Sequence, residues 1–289
     1  MKNSNKVIIF DHARIDQSHC LTDGLFKPLY RKTNKEGLSV KYRYKDYTFW
    51  WRNYCQLNIT DQSVFIAIHR LASEKGKVSR VSHKENETTL TAVRAALNLK
   101  LDATTKDVLV LDTTVYELAN TIGLSKSGQN YKLISESLLK LSGVSFVIYR
   151  GDDVTTKFWQ ANLISEMGGI DDRLYIALNP TLSKAIAENQ ATYISMEEQR
   201  MLKGDVAKRL HMWFSGWLGA GQINKIHIDQ LITHVWGDEV TGDAHRRRRV
   251  LLRKAIPIIK QLDGWICSED KNTNIIIVKR SKFKCTEVI

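Results

Sequence analysis

The stretch Ala244-His-Arg-Arg-Arg-Arg-Val250, continuing through Leu-Leu-Arg-Lys-Ala-Ile-Pro-Ile-Ile-Lys-Gln to Leu262, decides how this chain is read. It contains no acidic residue. Leu252, Ala255, Ile259 and Leu262 fall at i, i+3, i+7 and i+10, one apolar stripe on a helical period. The spacing predicts a helix with one buried face and a basic N-terminal end made by Arg246, Arg247, Arg248 and Arg249. Such a helix fits a DNA major groove, where arginine pairs with guanine edges or clamps phosphates. Four successive residues fan through about 300° of a helix. One or two are therefore expected to read bases while the others take phosphates. His245 and Arg253 flank the run and join the candidate contacts.

Working outward, the pattern around this helix occurs twice. Val115, Leu118, Ala119 and Ile122 mark one helix face up to Gly123, and Ile228, Leu231, Ile232 and Val235 repeat that spacing up to Gly237. Tyr131, Ile134, Leu138 and Leu141 carry the same stripe as the arginine helix. Each second helix ends at a glycine (Gly143, Gly264), and two strands follow: Val144–Tyr149 with Phe158–Ile164, and Trp265–Cys267 with Asn274–Val278. The first stripes are offset by 113 residues and the second by 121, so the later connection is eight residues longer and holds most of the arginine run. Upstream of each copy lies another helix face, Val64, Ile68, Leu71 and Ala72 with Thr60 or Asp61 as N-cap, and Val206, Leu210, Trp213, Phe214 and Trp217. Helix, helix-turn-helix and hairpin is the winged-helix order. The expected fold is α+β, with two tandem winged-helix domains related by an internal pseudo-repeat. The expected boundaries are a basic N-terminal arm over 1–36, a first domain with extra strands over 37–188, and a second domain over 189–289.

The other segments are placed more coarsely. Val40–Tyr44 and Tyr47–Trp51 read as a hairpin of β-formers. Thr89–Leu101, Lys106–Leu111 and Asp172–Asn179 read as strands, and Thr181–Glu188 as a short helix. Trp213, Trp217, Trp236 and Trp265 read as core, with Cys267 on a buried strand. The entrance to the first copy's last helix carries Lys126, Ser127, Gln129, Asn130 and Lys132. These residues are either a helix cap with solvated neighbours or contacts to adenine and phosphate. Arg150, Lys157, Lys279 and Arg280 flank the expected wings and can reach backbone phosphate.

Composition narrows the function. A formal net charge of +12 and a pI near 9.5 favour a polyanionic partner. Four scattered cysteines give no disulfide framework, no apolar run approaches a membrane span, and the N-terminus lacks a signal-peptide core. The expectation is a soluble, cytoplasmic protein. There is no phosphate-binding glycine loop, no nucleophile elbow, and no histidine pair flanking one apolar residue beside a tyrosine, as strand nicking would need. His12, His19 and Cys20 lack a partner cluster for zinc. No catalytic residue, cofactor or metal is assigned, and the chain is not expected to be an enzyme.

The chain resembles the replication protein C (RepC) initiators of IncQ-type plasmids. The likeness lies in His19-Cys-Leu…Gly24-Leu-Phe26, Asp172-Arg-Leu-Tyr-Ile-Ala-Leu-Asn-Pro180, Ile194-Ser-Met-Glu-Glu198 and Arg209-Leu-His…Gly216-Trp217, then Val235-Trp236, Arg246–Arg249 and Leu262-Asp-Gly-Trp265. It covers nearly the whole chain in order and is loosest from Gly37 to Leu111. The resemblance implies an initiator that binds direct repeats (iterons) in a plasmid origin, promotes melting of an adjacent AT-rich segment, and gives access to the plasmid helicase and primase, with self-association on DNA. Two other readings stay open: a winged-helix transcriptional repressor or plasmid-maintenance factor, and a protein-interaction adaptor.

Overall fold

Residues 11–29 are built into the framework of the fold. The computed structural model describes residues 11–29, 37–44, 46–74, 77–81, 108–152, 158–170, 172–178 and 192–282. Lys157 and the segments expected over Thr89–Leu101 and Thr181–Glu188 lie outside them. Strand β1 (His12–Ile15) pairs antiparallel with β12 (Thr192–Ser195), His12 facing Ser195. Helix α1 (Gln17–Leu21) follows, and β2 (Phe26–Lys27) runs parallel to β5 (Leu57–Asn58). Ala13, Ile15, Cys20, Leu25 and Phe26 are all fully buried. Within the segment expected as an arm, residues 11–29 are thus packed against the rest of the chain. Those apolar residues follow no single period, because the segment changes from strand to helix to loop within a few residues.

Helix α2 (Ile59–Ala72) is buried on nearly every side, which explains why it also buries Asp61, Gln62, Ser63 and His69. Its cap is Asn58, not Thr60 or Asp61. The Asn58 side chain accepts from the Asp61 backbone N–H at 3.0 Å, and Asp61 returns the bond to the Asn58 N–H at 2.8 Å. Asp61 also accepts from Ser137 at 2.7 Å and pairs with Lys140 at 3.5 Å. This ties α2 to α4 (Gly128–Ser142), which is preceded by α3 (Val115–Thr121).

Two four-stranded antiparallel sheets complete the first half. The expected hairpin is present as β3 (Leu38–Tyr44) and β4 (Tyr47–Asn53). It continues through β8 (Ser145–Arg150) to β9 (Phe158–Asn162) in the order β3-β4-β8-β9. The other sheet has the order β10-β11-β7-β6, from β6 (Val78–Val81), β7 (Val108–Thr113), β10 (Ile164–Ile170) and β11 (Arg173–Leu178). The single strand that the sequence predicts over Phe158–Ile164 breaks at Leu163. That residue is buried and bonds its N–H to the Val144 carbonyl at 2.9 Å, and the chain then passes from one sheet to the other.

The second half contains α5 (Met196–Met201), α6 (Asp205–Trp217), β13 (Ile223–His227), α7 (Ile228–Trp236), α8 (Gly242–Lys260), β14 (Trp265–Asp270) and β15 (Ile275–Arg280). Its sheet order is β13-β15-β14. Helix, strand, helix, helix and hairpin therefore occur in the same order in both halves, within a mixed α/β fold. The eight extra residues are largely helical. Ten residues of α8 precede Leu252, whereas three of α4 precede Tyr131. The arginines ride on about two additional turns.

Each half has its own core, and α6 lies at the seam. Met212 belongs to the first cluster, while Trp213 and Phe214 belong to the second with Trp236, Trp265 and Cys267. Fully buried Arg209 donates to the carbonyls of Cys20 (3.0 Å), Thr22 (2.9 Å) and His234 (3.2 Å). Asp23 bonds His234 at 2.8 Å. Beside that pair Gly24 packs on Gly237, which ends α7 at φ 76°.

Candidate nucleic-acid interface

Helix α8 is held in place by carboxylates on its neighbours. Arg249 makes a bidentate pair with Asp229 in the first turn of α7, at 2.5 and 2.6 Å. His245 reaches the same carboxylate at 3.0 Å. The Arg249 bond is the largest influence holding the Asp229 carboxyl below its usual pKa. Arg248 donates to the Asp238 side chain at 2.9 Å and to its backbone carbonyl at 3.2 Å, and its guanidinium lies 5.1 Å from the Trp236 ring centroid. Three of the candidate contacts, His245, Arg248 and Arg249, thus set the angle at which α8 leaves the turn after Gly237.

The remaining cations face outward. Arg246 is highly exposed and pairs with Asp243 one turn earlier, and Arg247 is exposed with no ion pair among the described residues. One and two turns on come Val250, 49% exposed, then Arg253 and Lys254, and finally Lys260. Arg253 is anchored to the hairpin through Glu269 (2.8 Å) and Asn274 (3.0 Å). Sequence reasoning missed Val250, Lys254 and Lys260. The signal for them was the complement of the buried stripe: whatever lies opposite Leu252, Ala255 and Ile259 faces solvent. An exposed valine framed by cations offers a methyl surface of the kind that contacts thymine.

Strand alternation separates the two wing residues of this half. Lys279 is exposed, opposite Ile223 and Ile266. Arg280 is 5% exposed, so it is withdrawn from the candidate surface. It donates to the carbonyls of Tyr193 (2.9 Å) and Ser215 (3.4 Å) and sits over the Trp265 ring, and burial lowers its pKa.

The first half presents a less basic counterpart. Ser127 caps α4, accepting from the Asn130 N–H at 3.2 Å, and the Asn130 amide is turned back to the Ser125 carbonyl at 2.8 Å. Two of the five candidates therefore build the helix start. Lys126, Gln129 and Lys132 are exposed, with Lys126 5.9 Å from the centroid of the exposed Tyr116 ring. Further along the same face stand Glu136 and Leu139, where α8 has Pro257 and Lys260. Arg150 is exposed at the end of β8 and lies 3.7 Å from Asp46.

Among the described residues no group of three or more His, Cys, Asp or Glu is placed to hold a metal ion. His19 is a core residue, its ring 4.7 Å from Trp51 and 5.5 Å from Phe65, and burial pushes the Cys20 thiol up to about 12. No described helix is long and apolar enough to cross a membrane.

A helix pinned by carboxylates and basic on its outer face thus lies beside the β14-β15 hairpin, and the first half holds a less basic counterpart beside β8 and β9. The chain matches the family profile of Replication protein C (RepC) over residues 8–281, and it belongs to that family. Membership places it among replication initiators. A comparison with curated protein sequences finds no significant match. Among solved structures, it is similar to a crystal structure of domains 2 and 3 of RctB (selenomethionine derivative), with a TM-score of 0.63 at 8% identity over 93% of this chain and 100% of that one. A second structure of RctB domains 2–3 gives a TM-score of 0.55 at 11% identity over 92% and 97% of the two chains. At such identities the likeness is one of fold.

Proposed function

We propose that the chain is a plasmid replication initiator whose two halves act as winged helices on the direct repeats of an origin. The outward basic face of α8 supports this reading most. Arg246, Arg247 and Lys254 project from a helix that Arg248 and Arg249 fix to α7 and the turn after it and Arg253 fixes to the hairpin, so the projecting charges are pre-oriented toward one partner. α8 supplies most of the affinity. α4, with Lys126, Gln129 and Lys132, adds specificity with less charge. Lys279 and Arg150 reach phosphates from the wings. Neighbouring initiators on successive repeats then strain the duplex at flexible steps, and an adjacent AT-rich segment melts to admit the plasmid helicase and primase. No nucleotide hydrolysis or other catalysis is required of this chain.

The experiment is a footprint of the full chain over the repeats of its plasmid origin, followed by permanganate probing for unpaired thymines. Protection of each tandem repeat with reactive thymines alongside is the expected result. Protection of a single inverted repeat without melting would replace this reading with an operator-binding repressor.

A further inference from the structure

The outer face of the β3-β4-β8-β9 sheet has no part in the duplex-binding surface, and its composition is unusual. Leu38, Val40, Phe49, Trp51 and Phe146 turn toward the first core. On the opposite face the register sets Lys41 beside Trp50 and Arg43 beside Thr48. Both Lys41 Nζ (5.2 Å) and the Arg52 guanidinium (4.6 Å) stand over the Trp50 ring, whose Nε1 donates to Ser39 at 3.1 Å. Phe158, paired with Tyr149 on the far strand, is 60% exposed. The four strands contain no Asp or Glu. Trp50 and Phe158 lie two strands and two residues apart in register, about 12 Å from sheet spacings. A short run of unstacked nucleotides spans that distance.

We infer that this sheet face, through Trp50, Phe158, Lys41, Arg43 and Arg52, binds single-stranded DNA. On this face Val147, Tyr149 and Thr48 are buried between the half-buried Trp50 and the exposed Phe158, and two such rings beside cations are suited to bases whose faces are free, with Trp50 and Phe158 stacking on bases and the cations tracking the phosphates. A duplex hides its base faces, so it offers these rings nothing to stack on. Arg43 is paired with Asp152 at 3.2 Å, but an apolar protein partner would leave Lys41 and Arg52 buried without counter-charges. The inference rests on the initiator reading only for naming DNA rather than RNA, since a melted origin is where an unpaired DNA strand would arise.

The test uses the full chain and fluorescence anisotropy with labelled oligodeoxythymidine, oligouridine and a repeat-containing duplex. Lys41→Glu and Phe158→Ser both lie at exposed positions, so the fold is expected to survive, and circular dichroism checks it. Removing one stacking ring and one phosphate-binding cation should weaken single-strand binding by about tenfold or more, with duplex affinity kept within about twofold. Rescue by Phe158→Tyr, which restores a ring, supports stacking over bulk charge. Unchanged oligodeoxythymidine affinity in Lys41→Glu/Phe158→Ser would overturn the assignment. So would equal losses for duplex and single strand, or tighter binding of oligouridine by the wild type. If the origin footprint fails while these single-strand results hold, the initiator reading falls and this site stands.

Discussion

Division of labour within the arginine run gives the sharpest consequence of the structure. Arg246→Ala/Arg247→Ala removes two outward cations that hold nothing but the exposed Asp243. Arg248→Ala/Arg249→Ala removes the clamps on Asp238 and Asp229. Each phosphate-binding cation taken away lowers the log–log salt slope by about 0.9, so the outer pair should flatten it by about 1.8. Folding should be untouched. The inner pair should behave in the opposite way. Two charge-assisted bonds at partly exposed positions, discounted for screening, are worth roughly 1–2 kcal/mol together. That lowers Tm by roughly 3–6 °C, with a slope change well below that of the outer pair. The assay is duplex binding from about 50 to 300 mM salt beside thermal melting, on both double variants. If the inner pair flattened the slope as much as the outer pair with unchanged Tm, Arg248 and Arg249 would be phosphate ligands rather than clamps. A helix pinned by its own arginines would then be the wrong picture.

Gly237→Ala should be severe, because φ is 76° and an added Cβ would stand 2.5 Å from Gly24 Cα and 2.8 Å from its nitrogen. A loss of at least about 2 kcal/mol is expected in urea unfolding, and an unshifted midpoint would show the close approach of Gly24 and Gly237 to be dispensable. Acid should destabilise the first half through His69, whose ring is fully buried in α2 and whose pKa burial lowers from 6.5 to about 4. A depressed histidine keeps its contribution above its unfolded value and loses it as pH falls. Stability should therefore drop by about 2 kcal/mol between pH 7 and pH 5. His69→Gln should lose that part of the pH dependence, and an identical profile in the variant would assign it elsewhere.

The sequence made the helices legible and the sheets only partly so. Both copies of the paired helices lie where their stripes place them, because period-3.6 burial leaves a strong trace in residues such as Ile134, Leu138, Leu252 and Ile259. β13 left none, since Ile223, Asn224 and Lys225 are all exposed and no alternation results. The break at Leu163 was hidden because no glycine or proline marks it between Phe158 and Met167. At the site, the run of arginines was visible but its internal pairing was not. Asp229 and Asp238 precede it by up to twenty residues, and only the turn at Gly237 brings them alongside. Arg280 was misplaced for a similar reason, as a one-residue step along a strand exchanges solvent for core. Several motifs that carry the family resemblance lie at the seam and not on the basic face: Cys20 and Gly24, Glu198 with His211, Arg209 and Gly216. Resemblance therefore pointed to the family while saying little about which side chains meet DNA.

If the outward face of α8 lies against the repeats, a cutting reagent tethered to that face should mark them. Val250 is exposed at its middle, and burial keeps Cys20 and Cys267 unreactive with thiol pKa values near 12. With Cys55→Ser and Cys285→Ser in place, Val250→Cys can carry an iron chelate that cleaves DNA within its short reach. The predicted result is cleavage at one fixed position within every direct repeat of the origin, abolished when Arg246→Ala/Arg247→Ala is added. Cleavage absent from the repeats, or scattered along the duplex without register while binding persists, would contradict the placement of α8 on DNA.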